Sequence, residues 1–101
     1  RQRLRRADLR GARLKDARLN GADLREAQLG PLMLTADRLL PADLSGANLR
    51  GADLSGADLR RAVMAGCDLA RALFHGAQTR QADLAGANLT GVRGLTVDQA
   101  A

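Results

Sequence analysis

With one exception, an apolar residue stands at every fifth position from Leu4 to Leu89, and this period constrains the fold of the 101-residue chain more than any other feature. Of the eighteen positions in the series only Thr79 is not apolar. A small residue, nearly always Ala, stands two positions before most of them. Such self-similarity predicts a stack of equivalent short units.

A five-residue period does not suit an α-helix. At about 100° per residue, five residues turn roughly 500°, so the Leu side chains would share no face. In a β-strand, Ala and Leu two residues apart point to the same side. The next Ala comes three residues after Leu, so each repeat needs a corner, where Gly is frequent, as at Gly46 and Gly51. The pattern therefore predicts a closed coil of short strands and corners with Ala and Leu inside.

The repeats that begin at Ala42 read Ala-Asp-Leu-Ser-Gly, Ala-Asn-Leu-Arg-Gly, Ala-Asp-Leu-Ser-Gly. This series resembles the pentapeptide-repeat family, and the resemblance covers roughly residues 2–93. It implies an all-β fold, a right-handed quadrilateral β-helix of about four coils, stacked at about the 4.8 Å spacing of paired strands. Its narrow interior accounts for a composition with 46% hydrophobic residues but one aromatic residue, Phe74.

Residues 31–41 interrupt the repeat. The Leu phase continues, but Leu32 and Asp37 take the places of the small inward residue. An unpaired inward charge at Asp37 is strongly disfavoured. We therefore predict a bulge with a short helical turn at 35–40, capped by Thr35 and closed by Pro41. Leu34 and Leu39 are predicted to form its hydrophobic staple.

The whole chain, 1–101, is predicted to form a single domain. Its predicted parts are a first coil block at 1–30, the bulge at 31–41, a second coil block at 42–93 and a C-terminal cap at 94–101. The cap carries a second helical turn at 96–100, because Thr96 to Gln99 spell a capping box. The chain begins with Arg rather than Met, which we interpret as a piece of a longer protein.

Positive charge is concentrated near the N-terminus. The net charge is +5, and residues 1–25 hold nine basic and three acidic side chains. An acidic partner is therefore expected near that end. With four repeats per coil, residues twenty apart stack, so Arg5 lies beside Arg25 and Arg60 beside Arg80. Arg10 shares a face with Arg50 only if the bulge keeps the phase of the coil.

A second set of outward residues is apolar where the repeat is otherwise polar, and clustering of such residues would mark an interface. The candidate partner-binding surface combines these residues with the stacked arginines: Arg5, Arg10, Arg25, Arg60, Arg80, Met33, Leu40, Val63 and Leu73.

No catalytic, cofactor-binding or metal site is predicted, and no cofactor is expected. His75 is interpreted as a solvated surface residue, and Cys67, at an inward Ala position, as a buried thiol with no His to activate it. Seven Asp residues precede Leu in one repeated environment, which differs from the distinct environments of an acid–base pair. We expect them to accept hydrogen bonds from corner amides.

These features favour a non-enzymatic scaffold or interaction module of a larger bacterial protein, which docks a protein partner or the remainder of its own chain. The resemblance supplies the alternative, a DNA mimic that binds gyrase or topoisomerase IV, although such rods are acidic and this chain is basic. Direct nucleic-acid binding through the N-terminal arginines is a further class, but aromatic platforms and a groove-reading helix are absent from the sequence pattern. With no apolar run that spans a bilayer and no signal pattern, a cytoplasmic location is predicted. The oligomeric state and the partner stay open.

Overall fold

The computed structural model describes residues 2–95, and in this part the repeat winds into a four-sided coil. Isolated parallel bridges join each repeat to the repeat one coil further along. They define four outward columns, which we call faces 1 to 4. Face 1 holds Arg3, Asp23, Asp53, Leu73 and Arg93; face 2 holds Asp8, Gln28, Asp58 and Gln78; face 3 holds Arg13, Asp43, Val63 and Asp83; face 4 holds Arg18, Asn48, Asp68 and Asn88. The stack thus contains four coils and the start of a fifth, as predicted.

Backbone hydrogen bonds hold the coils together. The amide of Leu54 donates to the carbonyl of Leu73 in the next coil at 2.8 Å, and the amide of Asp53 donates to Ala22 in the previous coil at 3.0 Å. Each repeat therefore uses its amides in both directions along the stack, as parallel strands do.

A tight turn forms each corner of the described coils except the one at residues 30–41. At one of them the amide of Ala57 donates to the carbonyl of Leu54 at 3.0 Å, and Gly56 between them has a φ of +71°. A positive φ at the third position is the requirement of a type II turn, and Gly meets it without strain. A few corners carry a larger residue in the same conformation, including Arg61 and Arg71 with φ of 60° and 62°.

The core is a column of Leu and Ala inside the coils. Leu24, Leu54 and Leu59 are completely buried, and the Ala residues beside them keep the opposite walls close together. Inward residues of the first coil, such as Leu4 and Leu9, are half-buried because a described coil covers them on one side only. The regular elements in residues 2–95 are all β-strands. No helix in this part of the chain is long and apolar enough to cross a membrane.

The interruption at 31–41 is a β-hairpin, so the predicted helical turn at 35–40 is wrong. Strand β1 (Leu32–Thr35) pairs antiparallel with β2 (Arg38–Leu40), with a bulge between Met33 and Thr35. The prediction that Asp37 does not point inward is confirmed, since this residue is exposed at the turn. The predicted staple of Leu34 and Leu39 is also wrong, because these side chains are 52% and 40% exposed.

Pro41 and the short length of the segment explain why a hairpin forms here instead of a helical turn. A residue that precedes Pro is pushed out of the helical region, and Pro41 imposes this on Leu40 at one end of the segment. Only a few residues separate Thr35 from Pro41, too few to repay the cost of helix nucleation. Thr35 pairs with Arg38 across a two-residue loop that ends in Asp, a common turn residue.

The hairpin leaves the stack at the corner between faces 2 and 3 of the second coil. The chain exits after Gly30 and re-enters at Pro41, so the blocks at 1–30 and 42–93 share one coil and one continuous core. Leu32 and Leu40 pair across the strands and lie against Gly11, at the same corner of the first coil. The hairpin therefore contacts the rod through Leu32 and Leu40, the residues at its base. The predicted turn at 96–100 lies outside the described residues.

Candidate docking surface

Asp and Asn side chains brace the corners by Asx hydrogen bonds. Oδ1 of Asp58 accepts from the amide of Arg60 at 3.1 Å, and Oδ1 of Asn48 accepts from the amide of Arg50 at the same distance. The same bond recurs at Asp8, Asp23, Asp43, Asp53, Asp68, Asp83 and Asn88. The predicted role of these residues in bracing corner amides is confirmed, and it leaves them a structural task in every coil.

Arginines stack at two corners of the rod. Arg5 and Arg25 share the corner after face 1, where the amide of Arg6 donates to the carbonyl of Arg25 at 3.0 Å. Arg60 and Arg80 share the corner after face 2, where the amide of Arg61 donates to the carbonyl of Arg80 at 2.9 Å. Both predicted stacks are confirmed.

Arg10 joins the second stack instead of standing with Arg50. Its neighbour Asp8 lies on face 2 together with Asp58, which precedes Arg60. The ten residues of 31–40 leave the coil, so bridges that cross the hairpin join residues thirty apart instead of twenty, as in the bridge from Gln28 to Asp58. We call this corner, with residues 10–11, 30, 41, 60–61 and 80–81, the arginine corner.

A cleft of about 530 Å³ opens between the arginine corner and the hairpin. Arg10, Arg60, Arg61 and Arg80 line one side, and Pro31, Met33 and Leu39 supply the apolar side. Met33 and Leu39 pair across the two strands, so both side chains share one face of the hairpin. The cleft thus combines a cationic wall with an aliphatic wall.

Gly30 keeps the cleft open. It occupies the place in the arginine corner where the other coils carry Arg10, Arg60 and Arg80. A Cβ atom at this position would lie 2.9 Å from Oδ2 of Asp58, so a larger residue would require this carboxylate to move. The missing side chain therefore leaves a gap in the arginine stack, and the carboxylate of Asp58 reaches over it.

The four arginines of the cleft differ in how their charge is used. Nε and Nη2 of Arg60 donate to the carboxylate of Asp58 at 2.8 and 2.7 Å, and Arg10 holds Asp8 in the same bidentate way. These hydrogen bonds lower the pKa of both carboxyl groups, that of Asp8 to about 2. Within the described residues, the guanidinium groups of Arg61 and Arg80 form no ion pair and no side-chain hydrogen bond. Two cations of the cleft are therefore available to a ligand.

The sequence model of pentapeptide repeats matches eight copies in this chain, over residues 3–30, 42–77 and 67–93. The chain belongs to the pentapeptide-repeat family. The match omits residues 31–41, which is the segment that forms the hairpin. The repeat thus builds the rod, and the hairpin is an addition to it.

Solved structures of the family share this fold. The pentapeptide repeat protein Rfr23 from the cyanobacterium Cyanothece 51142 is 30% identical with a TM-score of 0.73, over 84% of this chain and 51% of that one. The pentapeptide repeat protein alr5209 from Nostoc Pcc 7120 is 40% identical with a TM-score of 0.51, over 87% of this chain and 64% of that one. The right-handed quadrilateral β-helix of the family is therefore the fold of this chain, which spans about half to two thirds of those proteins. The comparison with curated protein sequences gave no match.

The predicted apolar residues of the surface do not form one patch. Met33 and Leu40 belong to the hairpin, whereas Val63 lies on face 3 and Leu73 on face 1, on opposite sides of the pentapeptide-repeat rod. Of these, Met33 lines the cleft, and it does so with Arg10, Arg60 and Arg80. Arg5 and Arg25 stand at another corner, where they bind Glu26 and Asp23.

The cleft residues that sequence reasoning missed include Gly30, Leu39, Asp58 and Arg61. Arg61 carried a signal that was available, since it replaces the usual corner Gly and so places a second cation directly after Arg60. Leu39 was not predicted to be exposed, because it occupies a position of the five-residue series that is otherwise mostly buried in the core.

The remaining reactive side chains lie away from the cleft. Cys67 is buried, its Sγ donates to the carbonyl of Leu44 at 2.8 Å, and burial raises its pKa to about 11. The thiol is therefore protonated near neutral pH, in agreement with the prediction of a buried, unactivated cysteine. His75 is exposed at a corner, as predicted.

Thr79 is the one polar residue in the inward Leu series, and its replacement by Val is expected to stabilise the protein by about 1 kcal/mol. Its Oγ1 is buried and has no hydrogen-bond partner within residues 2–95, and Val has the same shape without the hydroxyl. The midpoint of urea unfolding measures the effect. Thr90→Val is the control, because the exposed Oγ1 of Thr90 donates to Asn88 at 2.7 Å, so its loss brings no gain. An unchanged or lower midpoint for Thr79→Val would contradict the argument.

Acid is expected to destabilise the rod through the Asx carboxylates. Hydrogen bonds hold the pKa of Asp8, Asp43, Asp58 and Asp68 below its usual value, that of Asp8 at about 2. A lowered folded pKa means that the stabilisation is complete above about pH 4 and is lost as the pH falls from about 4 to about 2. The urea midpoint should therefore fall across this range. Asp8→Asn keeps an oxygen acceptor but does not titrate, so its loss should be smaller; an equal loss in both proteins would point to another group.

Proposed function

We propose that this chain is a non-enzymatic interaction module that docks a protein partner through the hairpin and the arginine corner. The observation that carries the proposal is the exposure of Met33, Leu34 and Leu39, which are 60%, 52% and 40% accessible. The central coils of the rod bury their Leu and Ala side chains almost completely. The three exposed aliphatic side chains on the short hairpin differ from this pattern. Clustered apolar exposure is typical of interaction sites.

The scaffold supports this role. Corner turns, Asx bonds and coil-to-coil hydrogen bonds hold the rod in one shape, and the hairpin projects from a single corner. Recognition loops on rigid repeat scaffolds follow the same plan, since the scaffold fixes the position of a loop that is free to vary. A larger bacterial parent protein and the cytoplasmic location predicted from the sequence stay part of the proposal.

The DNA-mimic alternative has less support here. The chain carries a net charge of +5 and four of its arginines line the cleft, whereas a mimic of duplex DNA needs an acidic surface. The fluoroquinolone resistance protein QnrB1 is 26% identical with a TM-score of 0.29, which is too low to carry a functional argument.

Photocrosslinking in cells that produce the protein tests the docking role. Benzoylphenylalanine in place of Leu34 should give discrete adducts with other proteins, because this side chain projects from the hairpin. The same group in place of Asn20, an exposed residue at the corner after face 4, is the control. Identical adduct patterns at the two positions, or none at position 34, would remove the support for docking by the hairpin.

A further inference from the structure

The cleft beside the hairpin has the composition of a binding site for one class of ligand. We infer that it binds an acidic peptide segment whose carboxylates meet Arg61 and Arg80 and whose aliphatic side chain packs on Met33 and Leu39. This inference rests on the proposed docking function and adds to it the chemistry of the partner.

Charge supports an acidic ligand. Among the described residues, four arginines and the carboxylate of Asp58 line the cleft, which gives these groups a formal charge of +3. Asp8 and Asp58 already hold Arg10 and Arg60, so the charge open to a ligand belongs to Arg61 and Arg80. A guanidinium group presents a planar set of donors that matches a carboxylate. Two separate guanidinium groups thus fit two side-chain carboxylates of one segment.

The opposite wall selects a peptide. Met33 and Leu39 offer unbranched and γ-branched aliphatic surface, and Pro31 extends it. A nucleic-acid strand stacks its bases on aromatic side chains, and none lines this cleft. A segment with alternating acidic and aliphatic side chains satisfies both walls.

Arg61→Gly is the decisive variant. Arg61 has a φ of 60°, a conformation that strains a non-glycine residue, so the substitution removes a cleft cation and relieves strain in one step. The variant should unfold at a higher urea concentration than the original protein. Weakened binding in this variant therefore cannot arise from failure to fold.

Arg71→Gly is the matched control. Arg71 has a φ of 62° and sits at the corner after face 4, diagonally opposite the arginine corner. The change has the same effect on net charge and relieves the same kind of strain. It leaves every residue that lines the cleft in place.

The probe is a fluorescein-labelled peptide of alternating glutamate and leucine, and its fluorescence anisotropy reports binding to the purified protein. We expect Arg61→Gly to weaken binding about tenfold, the usual effect of one charge-assisted hydrogen bond, and Arg71→Gly to change it less than about twofold. Asp58→Asn should strengthen binding, since it removes the carboxylate of Asp58 from the cleft. The Asx bond survives this change, because Asn48 forms it in the same chain.

Further probes separate the other occupants. Peptides with glutamine in place of glutamate, or with serine in place of leucine, should bind more weakly than the parent probe. An oligonucleotide that binds more tightly than the peptide would overturn the inference in favour of nucleic acid, and self-association that displaces the peptide would favour a second copy. Equal losses in Arg61→Gly and Arg71→Gly, or no binding of the probe to the original protein, would also overturn it. Adducts at position 34 without peptide binding would keep the docking function and reject only this partner chemistry.

Discussion

Leu54→Ala is expected to destabilise the protein by about 3 kcal/mol. Leu54 is fully buried on the inner side of face 1, with described coils on both sides. Backbone hydrogen bonds fix the coils at the strand spacing, so the walls cannot collapse into the space that the side chain leaves. The loss therefore contains a cavity contribution in addition to the lost apolar burial.

Urea unfolding followed by far-ultraviolet circular dichroism measures this loss. Leu89→Ala is the control, because the same atoms are removed from a side chain that is 37% exposed. Its midpoint should shift by well under half as much. Equal shifts for the two variants would show that the end of the stack is packed as tightly as its centre.

Gly11→Ala is expected to be nearly as damaging, at about 3 kcal/mol, although it adds only a methyl group. Gly11 has a φ of +68°, which costs an L-residue about 1 kcal/mol or more. The new Cβ would lie 2.9 Å from Cβ of Leu32 and 3.3 Å from the carbonyl oxygen of Leu40, so the roots of the hairpin must move. Such overpacking adds about 1–3 kcal/mol.

Gly51→Ala separates strain from collision. Gly51 has a φ of +67°, and a Cβ atom there meets no atom of residues 2–95 within 4 Å. This variant should lose about 1 kcal/mol, the strain alone. Gly11→Ala should in addition weaken the acidic peptide probe, because Met33 and Leu39 move with the hairpin. Equal losses of stability in the two variants would mean that the hairpin is not anchored at Gly11.

Much of the rod could be predicted from its sequence, because one physical rule repeats in every unit. Ala and Leu two residues apart define the interior, and the residue before the next Ala defines a corner. The role of Asp58 and its equivalents followed from the same repetition. These predictions succeeded because each position has many copies, so a single exception such as Thr79 does not obscure the rule.

The hairpin could not be predicted by the same rule. Leu34 and Leu39 keep the five-residue phase of the core, yet both side chains are exposed. The phase survives because the looped-out segment contains ten residues, which is a whole number of repeats. Leu32 and Asp37 carried the true signal, since neither fits the space of an inward Ala. They showed that the segment leaves the coil but not which structure it forms outside.

The cleft depended on that same segment, so its composition was only partly foreseeable. Arg60 and Arg80 were placed together because no interruption separates them. Arg10 was predicted to share a face with Arg50 only if residues 31–41 kept the twenty-residue period of the coil. The structure shows that they do not, because bridges across this segment join residues thirty apart. The place of Gly30 in the cleft could not be predicted, because it depends on the hairpin that starts beside it.

The ten-residue detour also has a consequence for how surfaces of this kind can diversify. A segment of two repeats that leaves the coil turns every later column by half a revolution relative to a chain in which those repeats stay inside. The interior is indifferent to this rotation, because all four sides present the same Leu and Ala. The exterior is not, since the rotation decides that Arg60 and Arg80 meet Arg10 instead of standing diagonally across from it. One excursion can therefore reassign which outward residues become neighbours while no buried residue changes.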